Sequence, residues 1–521
     1  MPGIARNPLQ AAQKNFDIIV IGGGIYGVMT LLEASRRGLR VLLLEKEDFG
    51  RHTSFNSLRI IHGGLRYLQH LDLPRFRESV AERSWFLKCF PDFVRPLPCL
   101  MPLYGNGLRR PVILQTAIMM NHILSYHRNN GLSPERKMPA GGVVNAAETC
   151  MLFPNVVKEG LKGAALWYDA FVPDSHALIM ELIRMSCYFG GFALNYVEAG
   201  DLLIENGRVA GVKAIDRENE KTYEFKSNVV VNAAGPWSRK MAVRYDRDEP
   251  ALFRPSLAWN VLLTKKPPSE YALAVAANRP DSQLYFLVPW NGRLLAGTGH
   301  AAWHDSVDHP GVQDHQLENF LANINAAAPG LRAETKDVVH VFKGLLPVRK
   351  SGSTHLTHRE VILTHKKNGG PEGLYTISGI KFTTARRVAE KLLSRIFGEQ
   401  LKPIHEIRNE RQDSLGQFPV GWNPNGQQWK EDLRRIIRTQ AVRHLDDLIF
   451  RRTTLWQDPS LAMRIASDIC GLFEWDQNRR EEETIRLKTH FDSFAFSTFK
   501  EKMTSHNITA EQNSLRSVLK N

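Results

Sequence analysis

At 521 residues the chain is too long for one hydrophobic core and should divide into two or three domains. Its 43% hydrophobic and 23% charged residues are those of an ordinary globular protein, and no apolar run is long enough to span a bilayer. The formal net charge of +14 suits an anionic substrate, an anionic cofactor or an acidic membrane surface; without a nucleic-acid motif or a basic stripe interleaved with aromatics, nucleic acid is not read as a partner.

Residues 1–15 lack the apolar core of a signal peptide and read as a frayed, flexible extension. The five cysteines (Cys89, Cys99, Cys150, Cys187 and Cys470) form no C-x-x-C pair, which argues against a disulfide framework or a zinc site and for a reducing cytosol. Residues 16–21 are a short β-branched apolar run, the pattern of a buried parallel strand. The run enters Gly22-Gly23-Gly24-Ile25-Tyr26-Gly27, a G-x-G-x-x-G with glycines at 22, 24 and 27. A helix from 28 to about 37, closed by Gly38, and a second strand over 40–44 that ends on Glu45 complete the unit. Gly22 permits the tight turn, Gly24 lets backbone N–H groups approach a pyrophosphate, and Gly27 lets helix and strand pack closely. The helix N-terminus favours the anion. Glu45 can accept both ribose hydroxyls and repels a 2′-phosphate, so an NADP-type ligand is disfavoured. Strand, helix, second strand and terminal acid in this order mark a dinucleotide site, without choosing between NAD and FAD.

A polar loop over 46–56 leads to His62-Gly63-Gly64-Leu65-Arg66-Tyr67-Leu68, which should lie over the pyrophosphate and ring end of the site. Paired glycines flanked by His62, Arg66 and Tyr67 imply close backbone approach to a ligand, with donors aimed at it. On these residues the stretch 16–104 resembles the amino-terminal part of the FAD-dependent glycerol-3-phosphate dehydrogenase family, within the D-amino-acid-oxidase-like flavoproteins. The resemblance is carried by Ile-Gly-Gly-Gly-Ile at 21–25, Leu-Glu at 44–45, Thr53-Ser54 and the run 62–68. It continues in Ser79-Val80-Ala81-Glu82-Arg83, on a helix from about Leu73 to Cys89.

Residues 100–165 alternate turn-rich and helical pieces, among which 111–126 reads as a core or interfacial helix. Residues 169–187 predict an amphipathic helix with Pro173-Asp174 near its start. Short strands at 193–196, 201–204, 208–215 and 221–225 read as a meander, turned by Asn206-Gly207. A buried strand from 229 ends in Ala233-Ala234-Gly235-Pro236-Trp237, which resembles the second dinucleotide-contact motif of the same flavoproteins. From about 245, β runs at 260–265, 271–277, 284–289 and 294–299 predict a mainly antiparallel sheet roofing the flavin. A helix at 315–328 and strands at 337–343 and 359–364 follow. Residues 373–397 return to the cofactor domain as a strand, a Gly379-Ile380-Lys381 turn and a helix. Thr383 or Thr384 can cap that helix, and its N-terminus is aimed at the flavin pyrimidine. From 401 the chain is polar and mostly helical, Leu445-Asp446-Asp447 and Arg451-Arg452-Thr453 resemble the family's carboxy-terminal domain, and 500–521 read as a disordered tail.

The expected fold is α/β, with a Rossmann-like FAD-binding domain from residues 16–99, 166–244 and 350–400. An antiparallel-sheet substrate domain comes from 245–349 with an insertion at 100–165, and a helical carboxy-terminal domain from 401–521. The resemblance implies non-covalent FAD, hydride transfer from a secondary alcohol of a small anionic substrate to flavin N5, and return of electrons to quinone or oxygen. No metal site is read, and the cysteine pattern makes the protein cytosolic; peripheral contact with the inner face of the membrane is a hypothesis from the charge and the quinone. Cofactor contacts are implied at Gly22, Gly24, Ile25, Gly27, Glu45 and Lys46, at Thr53 and Ser54, at Val197, Ala234 and Gly235, and at Gly379, Lys381 and Thr383. For the reaction it implies Arg66 and Tyr67 as phosphate contacts, Arg359 as a second phosphate-binding arginine and Lys381 as positive charge beside the ring. His62 matches the histidine of the same loop, as proton acceptor or as a structural hydrogen-bonding group.

Two departures bear on the substrate. The family's Gly-x-Arg-Pro-Leu is here Gly344-Leu345-Leu346-Pro347-Val348, and its Lys-Gly-Ser-His is Leu257-Ala258-Trp259-Asn260. The pocket thus lacks an arginine, a lysine and a histidine, and Trp259 is expected to make it more aromatic. The rival readings are an FAD-dependent amine or amino-acid oxidase and a non-catalytic flavin-binding protein.

Overall fold

The computed structural model describes residues 3–68, 71–105, 110–245, 252–277, 282–357, 359–402, 404–407, 417–418 and 421–494. The tail read as disordered, 500–521, lies outside the described residues.

Ile18–Ile21 and Val41–Leu44 are buried at every position, as strands covered on both faces must be. They lie in a six-stranded sheet ordered Val361–Thr364, Leu374–Ser378, Val230–Asn232, Ile18–Ile21, Val41–Leu44, Phe192–Leu194. All its pairings are parallel except that of Val361–Thr364 with Leu374–Ser378. One face is covered by the helices Ile25–Ser35, Ser175–Tyr188 and Ala385–Phe397. The last of these turns Ala385, Val388, Ala389, Leu392 and Leu393 inward at helical spacing. The other face packs on a four-stranded sheet of Asn15–Phe16, Lys221–Ser227, Arg208–Asp216 and Val197–Glu205.

A nine-stranded, mainly antiparallel sheet forms the roof. Its strands include Val338–Pro347, Pro255–Leu263, Arg293–Ala302 and Tyr285–Trp290, and at the far end Arg95–Leu103, Gly163–Phe171 and Ile60–Ile61. The helix Asp314–Ala327 covers one face, and the helices Gln428–Thr439, Pro459–Cys470 and Gln477–Phe494 pack against the other.

Four sequence expectations differ from this architecture. Arg95–Leu103 is a roof strand, hidden in the sequence by Pro96, Pro98 and Pro102. The missing N–H groups confine its parallel pairing with Ala272–Val275 to Cys99 and Leu100. The helix read over 169–187 begins only at Ser175, because Asp174 caps it by accepting from the N–H groups of His176 and Ala177, while 163–171 is strand. Phe192–Leu194 joins the parallel sheet rather than the meander. The amino-terminal stretch is not frayed over its described residues. Pro8–Ala12 is a helix, Ile4 is buried with its N–H on the Thr439 carbonyl at 2.8 Å, and Arg6 bonds to the Asn195 carbonyl and to Asp216.

His444 locks the carboxy-terminal helices to the meander. Its Nδ1 lies 2.7 Å from Glu483 and its Nε2 3.0 Å from Glu218, with Arg479 and Arg443 on the same two carboxylates. Burial pushes the imidazole down, but the bonds to Glu218 and Glu483 outweigh it and raise its pKa from 6.5 to about 9. A folded-state pKa above the unfolded one contributes stability that is complete below the unfolded value and disappears as pH rises through the folded value. The linkage amounts to roughly 3 kcal/mol. The unfolding temperature should therefore fall as pH rises from 6.5 to about 9, and His444→Gln should remove that component when thermal melts are compared across the window.

Candidate active site

The strand Ile18–Ile21 delivers the chain into the glycine turn, where Gly22 has φ +109° and a Cβ would meet the Ala233 carbonyl oxygen at 2.6 Å. A Cβ on Gly27 would run into the Gly22 carbonyl. Neither position accepts a side chain. Gly24 is the N-cap of Ile25–Ser35, and the Ile25 N–H donates to Ser54 Oγ at 2.9 Å, which brings the second loop onto the anion end of the helix. Glu45, buried at the tip of its strand, accepts the N–H groups of Gly23 at 2.6 Å and Glu47 at 2.9 Å. Val197 is buried, and its N–H holds the Glu45 carbonyl at 2.8 Å, so it braces the acid through backbone. Across the turn Gly235 has φ +54° with open space where a Cβ would be, next to Ala234. Lys46 Nζ sits 3.8 Å over the Trp237 indole, whose N–H donates to Asp308 at 2.6 Å. Trp237 closed the sequence motif, but Asp308 comes from the roof domain and carried no sequence signal.

The loop between Glu45 and Ser54 is fixed in its middle by charge. Asp48 receives Arg451 Nε at 2.6 Å, both terminal nitrogens of Arg452 at 2.7 and 2.8 Å, and Asn195 Nδ2 at 2.9 Å. Burial pushes the Asp48 carboxyl up, and the Arg452 and Arg451 guanidiniums overcome it, holding it well below the usual carboxylate range. Arg51 reaches Asp446 at 3.3 Å, and Thr53 donates to the Leu345 carbonyl of the roof at 3.2 Å. The sequence singled out Asp446, Arg451 and Arg452, yet nothing local says that they grip a loop near residue 48.

On the turn after Leu374–Ser378, Lys381 Nζ lies 4.3 Å over the Tyr67 ring, and burial followed by the nearby Arg66 charge lowers its pKa to about 8. The Tyr26 hydroxyl holds the Lys381 backbone, donating to its carbonyl at 3.1 Å and accepting its N–H at 3.2 Å. A Cβ on Gly379 would overlap that hydroxyl. Thr383 is buried and Thr384 is the N-cap of Ala385–Phe397, but no side chain caps the helix, contrary to expectation. His62 is half-exposed, with Nδ1 3.5 Å from Asp169 and its ring edge-on to Phe286 at 6.0 Å. Arg359 is exposed beside Glu360; among the described residues no hydrogen bond or ion pair joins it to Arg66, Tyr67 or Lys381.

The roof presents neutral groups. Asn260 is buried, donating to the Asn56 carbonyl at 3.1 Å and accepting the Thr298 hydroxyl at 3.0 Å. Gly344 lies against Thr53, and the strand's alternation puts Leu346 on that same face. Trp259 does not line this side. It is turned away onto Phe320, ring centroids 6.1 Å apart, which corrects the expectation of a more aromatic pocket. Arg349 is exposed beyond the strand end.

A glycine cradle without room for side chains, an open position at Gly235 and an acid at the strand tip fit an adenine dinucleotide. Charge removal by Asp48→Asn leaves the buried Arg452 guanidinium without a carboxylate and takes one of three from Arg451, and should cost about 3–5 kcal/mol in chemical denaturation. Because the same loop carries Glu45 and Ser54, the variant should also release the dinucleotide faster, read as recovery of free flavin fluorescence on dilution.

Residues 17–394 match the model of a family described as FAD dependent oxidoreductase. A glycerol-3-phosphate dehydrogenase of Synechocystis sp. is 28% identical over 76% of this chain and 72% of its own length. Glycerol-3-phosphate dehydrogenase 2 of Mycobacterium bovis is 31% identical over 74% of this chain, which spans 65% of that relative. Among solved structures, the glycerol-3-phosphate dehydrogenase from Bacillus halodurans complexed with FAD superposes with a TM-score of 0.69 at 20% identity, covering 94% of this chain and 96% of that one. Glycine turn, sheet order and family match agree, and the chain belongs to the FAD dependent oxidoreductase family.

Proposed function

We propose that the chain oxidises the secondary alcohol of glycerol 3-phosphate to the ketone. What supports this reading most is that Lys381 Nζ lies 4.3 Å over the Tyr67 ring and feels the charge of Arg66, next along the chain to Tyr67. FAD supplies the hydride acceptor. Arg66 and Tyr67 hold the phosphate, and the half-exposed His62 accepts the hydroxyl proton. Lys381 keeps a positive charge where reduction places a negative one. The neutral roof, Leu346 and Asn260, favours a second reading in which a different polyol phosphate or hydroxy acid, needing fewer cations, is the better substrate.

Anaerobic mixing with a panel of polyol phosphates, hydroxy acids and amines tests both. Glycerol 3-phosphate should bleach the flavin absorbance. Bleaching by an amine alone would convert the reading to an oxidase of another class, and no bleaching by any member would leave a binding protein. With Lys381 at about 8, the reduction rate should decline as pH rises through that value and its charge is lost.

Electrons then pass to quinone or oxygen, and we favour quinone at a membrane surface. The helix Pro111–Leu124 buries Leu114 and Ile118 but exposes Val112, Met119 and Ile123, at 77, 55 and 63%, with Arg110 exposed at its start. Among the described residues no helix is long and apolar enough to cross a bilayer, so this face would lie on the surface. The FAD-loaded protein should sediment with phosphatidylglycerol vesicles, and Ile123→Asp should weaken this. Absence of binding even at low salt would rule the contact out.

A further inference from the structure

The wall behind His62 holds a carboxylate with no part in the scheme above. Asp169 is buried on Gly163–Phe171, and its two oxygens meet four donors. Oδ1 accepts the Gly63 N–H at 2.6 Å and lies 3.4 Å from Arg83 Nη1. Oδ2 accepts the Trp167 indole N–H at 3.1 Å and lies 3.5 Å from His62 Nδ1. Arg83 is itself fixed, donating to the Tyr168 carbonyl at 2.6 Å, and a Cβ on Gly63 would run into its guanidinium. The strand register, Ile61 against Ala170, carries His62 to the position opposite Asp169. Burial pushes the Asp169 carboxyl up, but His62, Arg83 and the Gly63 N–H more than offset it, so the group is ionised and can only accept. The ring nitrogen beside an accepting carboxylate carries the proton, which leaves the lone pair on the other nitrogen. The His62 side chain is 49% exposed, so that second nitrogen is available to the cleft.

We propose that Asp169 is the positioning residue for His62, fixing the Nδ1–H tautomer and presenting Nε2 as the acceptor of the substrate's hydroxyl proton. The inference rests on the reading of His62 as that acceptor. In the step served, the substrate O–H bond breaks and its proton passes to Nε2. The C–H electron pair leaves with its hydrogen as hydride to FAD, and the alcohol carbon becomes a carbonyl.

Asp169→Asn keeps an oxygen for the Gly63 N–H and turns an amide N–H toward Nδ1, which demands the opposite tautomer. Stopped-flow reduction of the FAD-loaded enzyme by glycerol 3-phosphate, or by whichever panel member bleaches it, should slow on the order of 10²-fold. FAD content and the half-saturating substrate concentration should stay unchanged, and adding Asp169→Asn to His62→Ala should slow the reaction no further. Equal slowing with and without His62, or no slowing at all, overturns the proposal. Nitrogen NMR of the ring-labelled wild-type holoenzyme does not depend on any variant's rate. The His62 signal, identified by its loss in His62→Gln, should show a protonated Nδ1 and a bare Nε2, and a proton on Nε2 overturns the proposal. Should His62→Ala reduce as fast as wild type, the acceptor reading fails, and the tautomer measurement separately upholds or overturns Asp169's hold on the ring.

Discussion

Everything at the cofactor end depends on one buried charge cluster. Asp48 meets Arg451 and Arg452, and Arg451 also bridges Asp446 at 3.0 Å and Asp447 at 2.5 Å. Asp447 in turn accepts the Tyr196 hydroxyl at 2.6 Å and the N–H groups of Arg443 and His444. Taking such groups out of water costs more than their attraction returns unless every one is matched. The arrangement is therefore a weak source of stability and a strong source of register. It permits one placement of the 45–54 loop, and at that placement Glu45 reaches the glycine turn and Ser54 meets the helix N-terminus. The site is organised before a ligand arrives, which spares binding the cost of ordering a polar loop.

The segments around Lys381 and His62 are held on the same principle with fewer charges. Two backbone contacts to the Tyr26 hydroxyl hold the Lys381 turn, and Asp169 ties the His62-Gly63 backbone to the roof. Lys381 and His62 are thus carried by segments whose main chain is already bonded. Leu346 and Asn260 are neutral, whereas Arg66 and Lys381 carry positive charge near each other.

The central strands Ile18–Ile21, Val41–Leu44 and Val230–Asn232 were legible because each buries both faces within a short apolar run, and the glycine turn because its sterics are local. The helix expected from about Leu73 to Cys89 spans those residues, and the structure shows Asp72 capping it with Pro74 in its first turn. Three prolines masked Arg95–Leu103, whose existence depends on neighbours far along the chain. Trp259 obeys the simple alternation of its strand, sharing a face with Leu257 and Val261, but the sequence did not say which face of that strand looks onto the helix Asp314–Ala327. Asp48 and Asp169 read as ordinary polar residues, since their partners lie at 451–452 and at 62 and 83.

The order of strands in the cofactor sheet governs how the chain emerges into its fold. Val230–Asn232 sits between Ile18–Ile21 and Leu374–Ser378, so the nucleotide fold is left with an open edge until synthesis has passed residue 378. Meanwhile the roof draws strands from before Val230–Asn232 and from the stretch that separates it from Leu374–Ser378, and Asp48 waits for arginines still further on. Long-range pairing of this kind is slow, and exposed strand edges invite association with other chains. A nascent polypeptide built this way spends most of its translation as an unfinished sheet, and shielding by chaperones on the ribosome is the natural requirement of its topology.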